Sequence, residues 1–300
     1  GSEAEAAAAF RSGAEGIGVL RTEFLFLHRK KPPTELEQLV ALELIGEKMG
    51  GRPVVVRTLD AGGDKELPYL HRAQEANPFL GVRAIRLSLQ EKALFLDQLR
   101  AILRAGAKYP IKILLPLITD VAEVEQATEM IRLAHAQLEN EGLSHVWPVE
   151  MGVMVETPAA AMLVSRFVPW VDFFSIGTND LTQYTLAAER GNPELSGYQD
   201  SLHPAVLRLI WEVVEEAHRG GKWASVCGEI AADLEATPIL LGLAVDELSL
   251  NPVKIPEIKS FIRQLDLDEC KDLSKRAISL KSAHEVRSLI TKLKKAIASK

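Results

Sequence analysis

Residues 149–180 open as Val149-Glu150-Met151-Gly152-Val153-Met154-Val155-Glu156-Thr157-Pro158 and close as Asp172-Phe173-Phe174-Ser175-Ile176-Gly177-Thr178-Asn179-Asp180. Both segments carry a nearly continuous apolar run, the pattern of a strand buried on both faces. Each run stops at polar groups: Glu156 after the first, Asn179-Asp180 after the second. A helix is expected after each, and Thr157-Pro158 puts Pro at the first helical position, where its missing N–H costs nothing. The repeating unit is therefore strand, polar end, helix.

The same unit recurs in both directions. A short run at 17–20 ends at Arg21, and the Thr34/Glu37 capping box predicts a helix that stops at Gly50-Gly51. The β-branched run at 53–56 ends at Arg57-Thr58. Ser88 with Glu91 predicts a boxed helix running toward Gly106. A strand is expected at 111–115, followed by a helix capped by Asp120 and reaching about Glu139. A strand at 223–226 ends at Cys227-Gly228-Glu229. The last strand is placed at 247–250, with Pro256 starting the last helix of the repeat. A further strand near 80–84 completes eight units. Parallel strands alternating with helices define an α/β chain. Polar residues at the ends of many strands favour a closed (β/α)8 TIM barrel over an open doubly wound sheet, which would gather them near one switch point. The reading is one domain over 1–300, with extra C-terminal helices in 266–300 and a capping box at Ser282/Glu285. The Ala-rich start, 3–9, reads as helix.

Composition narrows the function. Among 300 residues, 35 Lys and Arg face 41 Asp and Glu, a net charge of −6 that argues against a nucleic-acid partner. Hydrophobic residues at 47% and charged residues at 25% are a globular mix. Two cysteines, Cys227 and Cys270, fit a reducing cytoplasm better than a secreted disulfide scaffold. No apolar run approaches the ~18–20 residues of a membrane helix, and no signal peptide is read at the start. Gly1-Ser2 reads as a cloning scar, and the chain as a piece of something longer.

In chain order the strand ends offer Arg21, Arg57, Arg83, Glu156, Asn179 with Asp180, Cys227 and residues 249–251, and Arg190 lies just beyond Asp180. Guanidiniums match phosphate and carboxylate oxygens bidentately, so several at one mouth imply a polyanionic ligand. The alternative is that each pairs with a surface acid. Glu156 and Asp180 fit Mg²⁺, which takes one or two carboxylates plus substrate oxygens; rim salt bridges with the same arginines are the alternative. Cys227 can act as a proton donor or acceptor beside cations, or be a buried small hydrophobe. Gly62-Gly63-Asp64-Lys65 lacks P-loop spacing and reads as a lid over an anion. The seven histidines show no metal-ligand spacing, and His203 reads as a helix-start residue.

Several stretches carry a resemblance as written: residues 16–25, Arg57-Thr58-Leu59-Asp60, 62–68, 77–86, 152–161, 172–192 and Cys227-Gly228-Glu229. Together they resemble the C-terminal phosphoenolpyruvate-binding domain of enzyme I of the bacterial sugar phosphotransferase system, over essentially the whole chain. The resemblance implies a cytoplasmic (β/α)8 barrel that forms a homodimer, binds phosphoenolpyruvate with Mg²⁺ and releases pyruvate. It implies that Arg21 and Arg57 hold the phosphate. Asn179 and Arg190 would contact phosphate and carboxylate, and Arg83 would be a further active-site arginine. Glu156 and Asp180 would bind magnesium, and Cys227 would protonate the enolate carbon. In the family the phosphoryl acceptor is a histidine of an N-terminal domain that docks the phosphocarrier protein. The chain has no Gly-Gly-x-x-Ser-His motif, so it is expected to bind substrate without its natural acceptor. Two readings compete: the barrel of a pyruvate phosphate dikinase or phosphoenolpyruvate synthase relative, and a non-catalytic sensing and dimerisation module.

Overall fold

The computed structural model describes residues 2–63, 65, 67–70, 73 and 75–298, with the backbone alone for 292–298. By their contacts the residues form two compact units, 1–154 with 169–172, and 155–168 with 173–300.

The first unit opens with α1 (Glu3–Arg11), then β1 (Ile17–Arg21), the single turn α2 (Glu23–Phe26) and α3 (Glu35–Lys48). Thr34 and Glu37 form the expected reciprocal capping box on α3. Next come β2 (Val54–Arg57), α4 (Ile85–Gln90), α5 (Lys92–Gly106), β3 (Ile111–Leu115), α6 (Val121–Asn140) and β4 (Met151–Val155), whose last residue belongs to the second unit. Asp120 caps α6 as anticipated, and Glu123 completes a capping box with it. All pairings here are parallel, with Arg21 in register with Arg57 and Arg57 with Leu114. Every residue of β2 and β4 is buried.

The second unit continues with α7 (Pro158–Met162), α8 (Val164–Phe167), β5 (Phe173–Gly177), α9 (Thr178–Leu186) and α10 (Pro204–Arg219). It closes with β6 (Trp223–Cys227), α11 (Thr237–Gly242), β7 (Glu247–Ser249), α12 (Ile255–Ile262), α13 (Leu267–Ile278) and α14 (Ala283–Ala298). Thr157 caps α7, and His203 caps α10 by accepting the Ala205 N–H at its Nδ1. Strands β5, β6 and β7 are parallel, with Gly177, Cys227 and Ser249 in one register row at their C-terminal ends.

Sheet order is chain order, β1 to β7. A doubly wound sheet reverses its order at a switch point. Unreversed parallel order with intervening helices is the α/β barrel class. No helix among the described residues is long and apolar enough to cross a membrane.

Three expectations fail. The described residues form seven strands, and none lies at 80–84. Pro78–Leu80 is a 3-10 turn, Ala84 has φ +52°, and Arg83 is held by a side-chain ion pair with Asp60. The Ser88/Glu91 box is also absent. Ser88 lies inside α4, its buried hydroxyl unbonded among the described residues, and the chain leaves helical geometry at Glu91 before α5. At the other end, Ser282 accepts the Glu285 N–H, but the Glu285 carboxylate takes the N–H of Lys281 instead of completing a box.

Candidate active site

Strand β2 ends by pointing Arg57 into a buried group of charges in the first unit. Arg57 pairs with Glu23, the first residue of α2, and lies 3.2 Å from Asp60. Asp60 also receives Arg83, whose Nη2 lies 3.0 and 3.1 Å from the two carboxylate oxygens. The Lys65 ammonium reaches Glu23 at 3.2 Å and Asp60 at 3.5 Å. Among the described residues three cations surround two carboxylates, with Arg57 4% and Arg83 2% exposed. Glu23 Oε2 is buried and accepts no hydrogen bond among the described residues.

Burial alone would raise the Asp60 pKa. The guanidiniums of Arg57 and Arg83 and the Lys65 ammonium outweigh it and hold the carboxyl at about 2. The Arg83 guanidinium also lies 5.7 Å from the centre of the Phe79 ring. An apolar cluster including Phe26, Leu59, Ala61, Leu67 and Leu87 packs around this segment. Leu59 and Ala61 bury on that side while Asp60 serves the charges.

Neutral groups fix the strand ends. Thr22 Oγ1 donates to the Arg57 carbonyl at 2.9 Å and accepts from Gln98 Nε2 at 3.1 Å. Gln98 Oε1 in turn accepts the Leu59 N–H at 2.9 Å. A residue of α5 thus locks the ends of β1 and β2 together. Arg21 is exposed, in register with Arg57 but outside the buried group. Gly62 and Lys65 form a short antiparallel bridge in the loop read as a lid, and the Lys65 ammonium reaches the carboxylates. Asp64 and Glu66 of that motif lie outside the described residues.

The second unit assembles a different set. Glu156 is 1% exposed and packs over Gly177, where a Cβ would stand 2.6 Å from its Cγ. One residue further on, α9 begins, and its first turn carries Asn179 and a buried Asp180. Arg190 lies 3.2 Å from Asp180, and its backbone N–H is held by Gln183 Oε1 at 2.9 Å. Thr178 Oγ1 donates to the Cys227 carbonyl at 2.7 Å, and Asn179 Oδ1 accepts the Glu229 N–H at 3.1 Å. These two bonds clamp Cys227-Gly228-Glu229 to the start of α9. Gly228 has φ +107°, and a Cβ there would lie 2.4 Å from Thr178 Oγ1, so only glycine fits the turn. The Cys227 thiol is buried, donating toward the Ile176 carbonyl at 3.3 Å and accepting from Ser175 Oγ at 3.7 Å. Cys270 sits apart on α13, where burial with Asp266 and Glu269 pushes its thiol pKa up.

Arg57 and Arg83 thus meet in one unit, and Glu156, Asn179, Asp180, Arg190 and Cys227 are carried by the other. Gln98 was not anticipated from the sequence, and Thr22, Glu23, Asp60 and Ser175 were quoted in motifs without a role. Two buried carboxylates, Glu156 and Asp180, supply the hard oxygen donors that suit Mg²⁺. The histidines require a correction. Among the described residues the group of three or more His, Cys, Asp or Glu that could hold a metal ion is His135, Glu139 and His145. The separation of His135 and Glu139 by one helical turn was the available signal.

Residues 1–267 match the family model described as the PEP-binding domain of PEP-utilising enzymes. A phosphoenolpyruvate-protein phosphotransferase of Haemophilus influenzae is 46% identical over 280 residues, covering 93% of this chain and 49% of that protein. Multiphosphoryl transfer protein 1 of Escherichia coli K12 is 41% identical over 291 residues, covering 97% of this chain and 35% of that protein. The chain spans about half the length, or less, of these curated relatives. Among solved structures, an aldolase/citrate lyase family protein of Burkholderia cenocepacia superposes with a TM-score of 0.51 at 14% identity, covering 88% of this chain and 90% of that one. That likeness concerns the fold alone.

Proposed function

Because the chain belongs to the PEP-binding domain family of PEP-utilising enzymes, we propose that it binds phosphoenolpyruvate and supports phosphoryl transfer from it as part of a phosphoenolpyruvate-protein phosphotransferase. The observation that supports this reading is the group of Arg57, Arg83 and Lys65 gathered with Glu23 and Asp60 at a strand end.

Phosphoryl transfer asks the protein for positioning and charge stabilisation more than for covalent chemistry. Arg57 and Arg21 hold the phosphate and Arg83 assists. Arg190 and Asn179 contact phosphate and carboxylate oxygens. Glu156 and Asp180 would hold Mg²⁺, which supplies further positive charge to the transferring group. The phosphoryl group leaves the enol oxygen for a histidine of a further domain, the one that meets the phosphocarrier protein. The enolate left behind takes the Cys227 thiol proton at carbon, giving pyruvate and a thiolate. Ser175 Oγ already donates to that sulfur and would stabilise the thiolate. Phosphoenolpyruvate and pyruvate as ligands, a homodimer and a cytoplasmic setting complete the reading.

Calorimetric titration with phosphoenolpyruvate, with Mg²⁺ and then with a chelator, tests it. Binding should strengthen clearly with Mg²⁺, and Asp180→Asn should remove that dependence while leaving metal-free binding. No heat in either buffer from a folded sample sinks the proposal.

A further inference from the structure

Helix α6 carries His135 and Glu139 one turn apart near its C-terminal end, and the connection to β4 brings His145 back against them. The three ligand atoms lie within 4.8 Å of one another. His135 Nδ1 and His145 Nε2 are 2.7 Å apart, and His145 Nε2 is 3.9 Å from Glu139 Oε2. We propose that these residues form a binding site for Zn²⁺ or a similar borderline divalent cation, separate from the carboxylates proposed for Mg²⁺.

The His145 tautomer favours it, while His135 Nδ1, the donor in the histidine–histidine bond, would pass its hydrogen to Nε2 on binding a cation. His145 Nδ1 lies 2.8 Å from the Leu143 carbonyl, which can only accept, so Nδ1 carries the hydrogen and Nε2 presents its lone pair. A ligating imidazole whose other nitrogen donates to a backbone carbonyl is the usual outer-shell arrangement in metal sites. His135 is held as well, its ring stacked at 4.0 Å and 0° on Trp147. The His145 side chain is 6% exposed while Glu139 is 72% exposed, so the cation has a fixed nitrogen and a carboxylate free to swing. Tetrahedral ligands at about 2.0–2.1 Å stand roughly 3.3 Å apart. The 2.7 Å imidazole separation must open, and the 3.9 Å carboxylate separation close, by only about 0.6 Å each. The negative end of α6 favours a cation here. Glu141, the neighbouring acid, is bound to Arg100 and does not compete. Two imidazoles and one carboxylate suit zinc, cobalt or nickel and leave a fourth position for water. In a β-then-α unit the helix end lies away from the C-terminal ends of the strands, so this site is outside the catalytic face.

The test is titration of the intact chain with Co²⁺ and Zn²⁺ in excess Mg²⁺, which occupies oxygen sites. We expect one Co²⁺ per chain, with visible d–d bands and without the thiolate charge-transfer band that binding at Cys227 or Cys270 would give. His145→Ala should weaken binding by ~100-fold or more, and the exposed Glu139→Gln by ~10-fold or more. Zinc X-ray absorption on the unaltered protein should count two imidazoles, which keeps the test valid if His145→Ala fails to fold. No such binding, fewer than two imidazoles, or affinity unchanged by Glu139→Gln overturns the proposal and leaves a histidine–histidine hydrogen bond only.

Discussion

Asp60 is the residue on which the cationic group depends, because it touches Arg57, Lys65 and Arg83. Its carboxyl titrates at about 2, below the 3.8 of a free aspartate. A group depressed on folding adds stability that is present above its unfolded pKa and is lost as pH falls through the folded one. Asp60→Asn keeps the shape and removes the charge, taking one carboxylate away from the buried cations. At pH 7 it should cost about 2–5 kcal/mol. Urea midpoints of the two proteins should differ by a constant amount above about pH 5 and converge between about pH 4 and 2. A gap of equal size at pH 7 and pH 2 would show that the ion pairs do not stabilise the fold. Asp60 also marks a limit of sequence reading. The arginines at strand ends stood out because strand periodicity places them, whereas Glu23 and Asp60 are identified as their partners only once 34 and 23 residues of chain have folded back.

At the scale of the element, the junction from β5 into α9 governs the carboxylates. Gly177 ends the strand, and the space where its side chain would be is filled by Glu156, with Cγ at 2.6 Å and Oε1 at 2.9 Å from a built Cβ. Gly177→Ala must push Glu156 aside, at a cost of about 1–3 kcal/mol for overpacking. The Mg²⁺-dependent part of phosphoenolpyruvate binding should fall at least about tenfold while metal-free binding is kept. Calorimetry beside a thermal melt separates the two effects, and unchanged metal dependence would remove Glu156 from the ligand set. Elements like this differ in how far local sequence determines them. The Thr34/Glu37 box and the Asp120 cap were legible because a cap is made within four residues. The Ser88/Glu91 pattern has the same letters, yet Ser88 is buried inside a helix that starts three residues earlier. The missing strand at 80–84 fails for the same reason: the long-range pull of Asp60 on Arg83 sets that backbone. His135 and His145 escaped notice because their approach is made across a helix end.

At the scale of the whole molecule, charge and association pull in opposite directions. Each chain carries a net −6, so bringing two together concentrates like charge. A homodimer, as proposed, must overcome that repulsion by burying surface, and homodimer interfaces are more apolar than the rest of a protein surface. Salt separates these contributions. Raising ionic strength from 0.01 to 0.15 M shortens the Debye length from about 30 to about 8 Å, which screens the net repulsion and leaves apolar burial almost untouched. Sedimentation velocity should therefore find a species of twice the 33.0 kDa chain mass, with an association that tightens across that salt range. A single species of chain mass at every concentration would refute the dimer. A dimer that loosens with salt would mean that complementary charge patches, arranged against the overall sign, hold the two chains together.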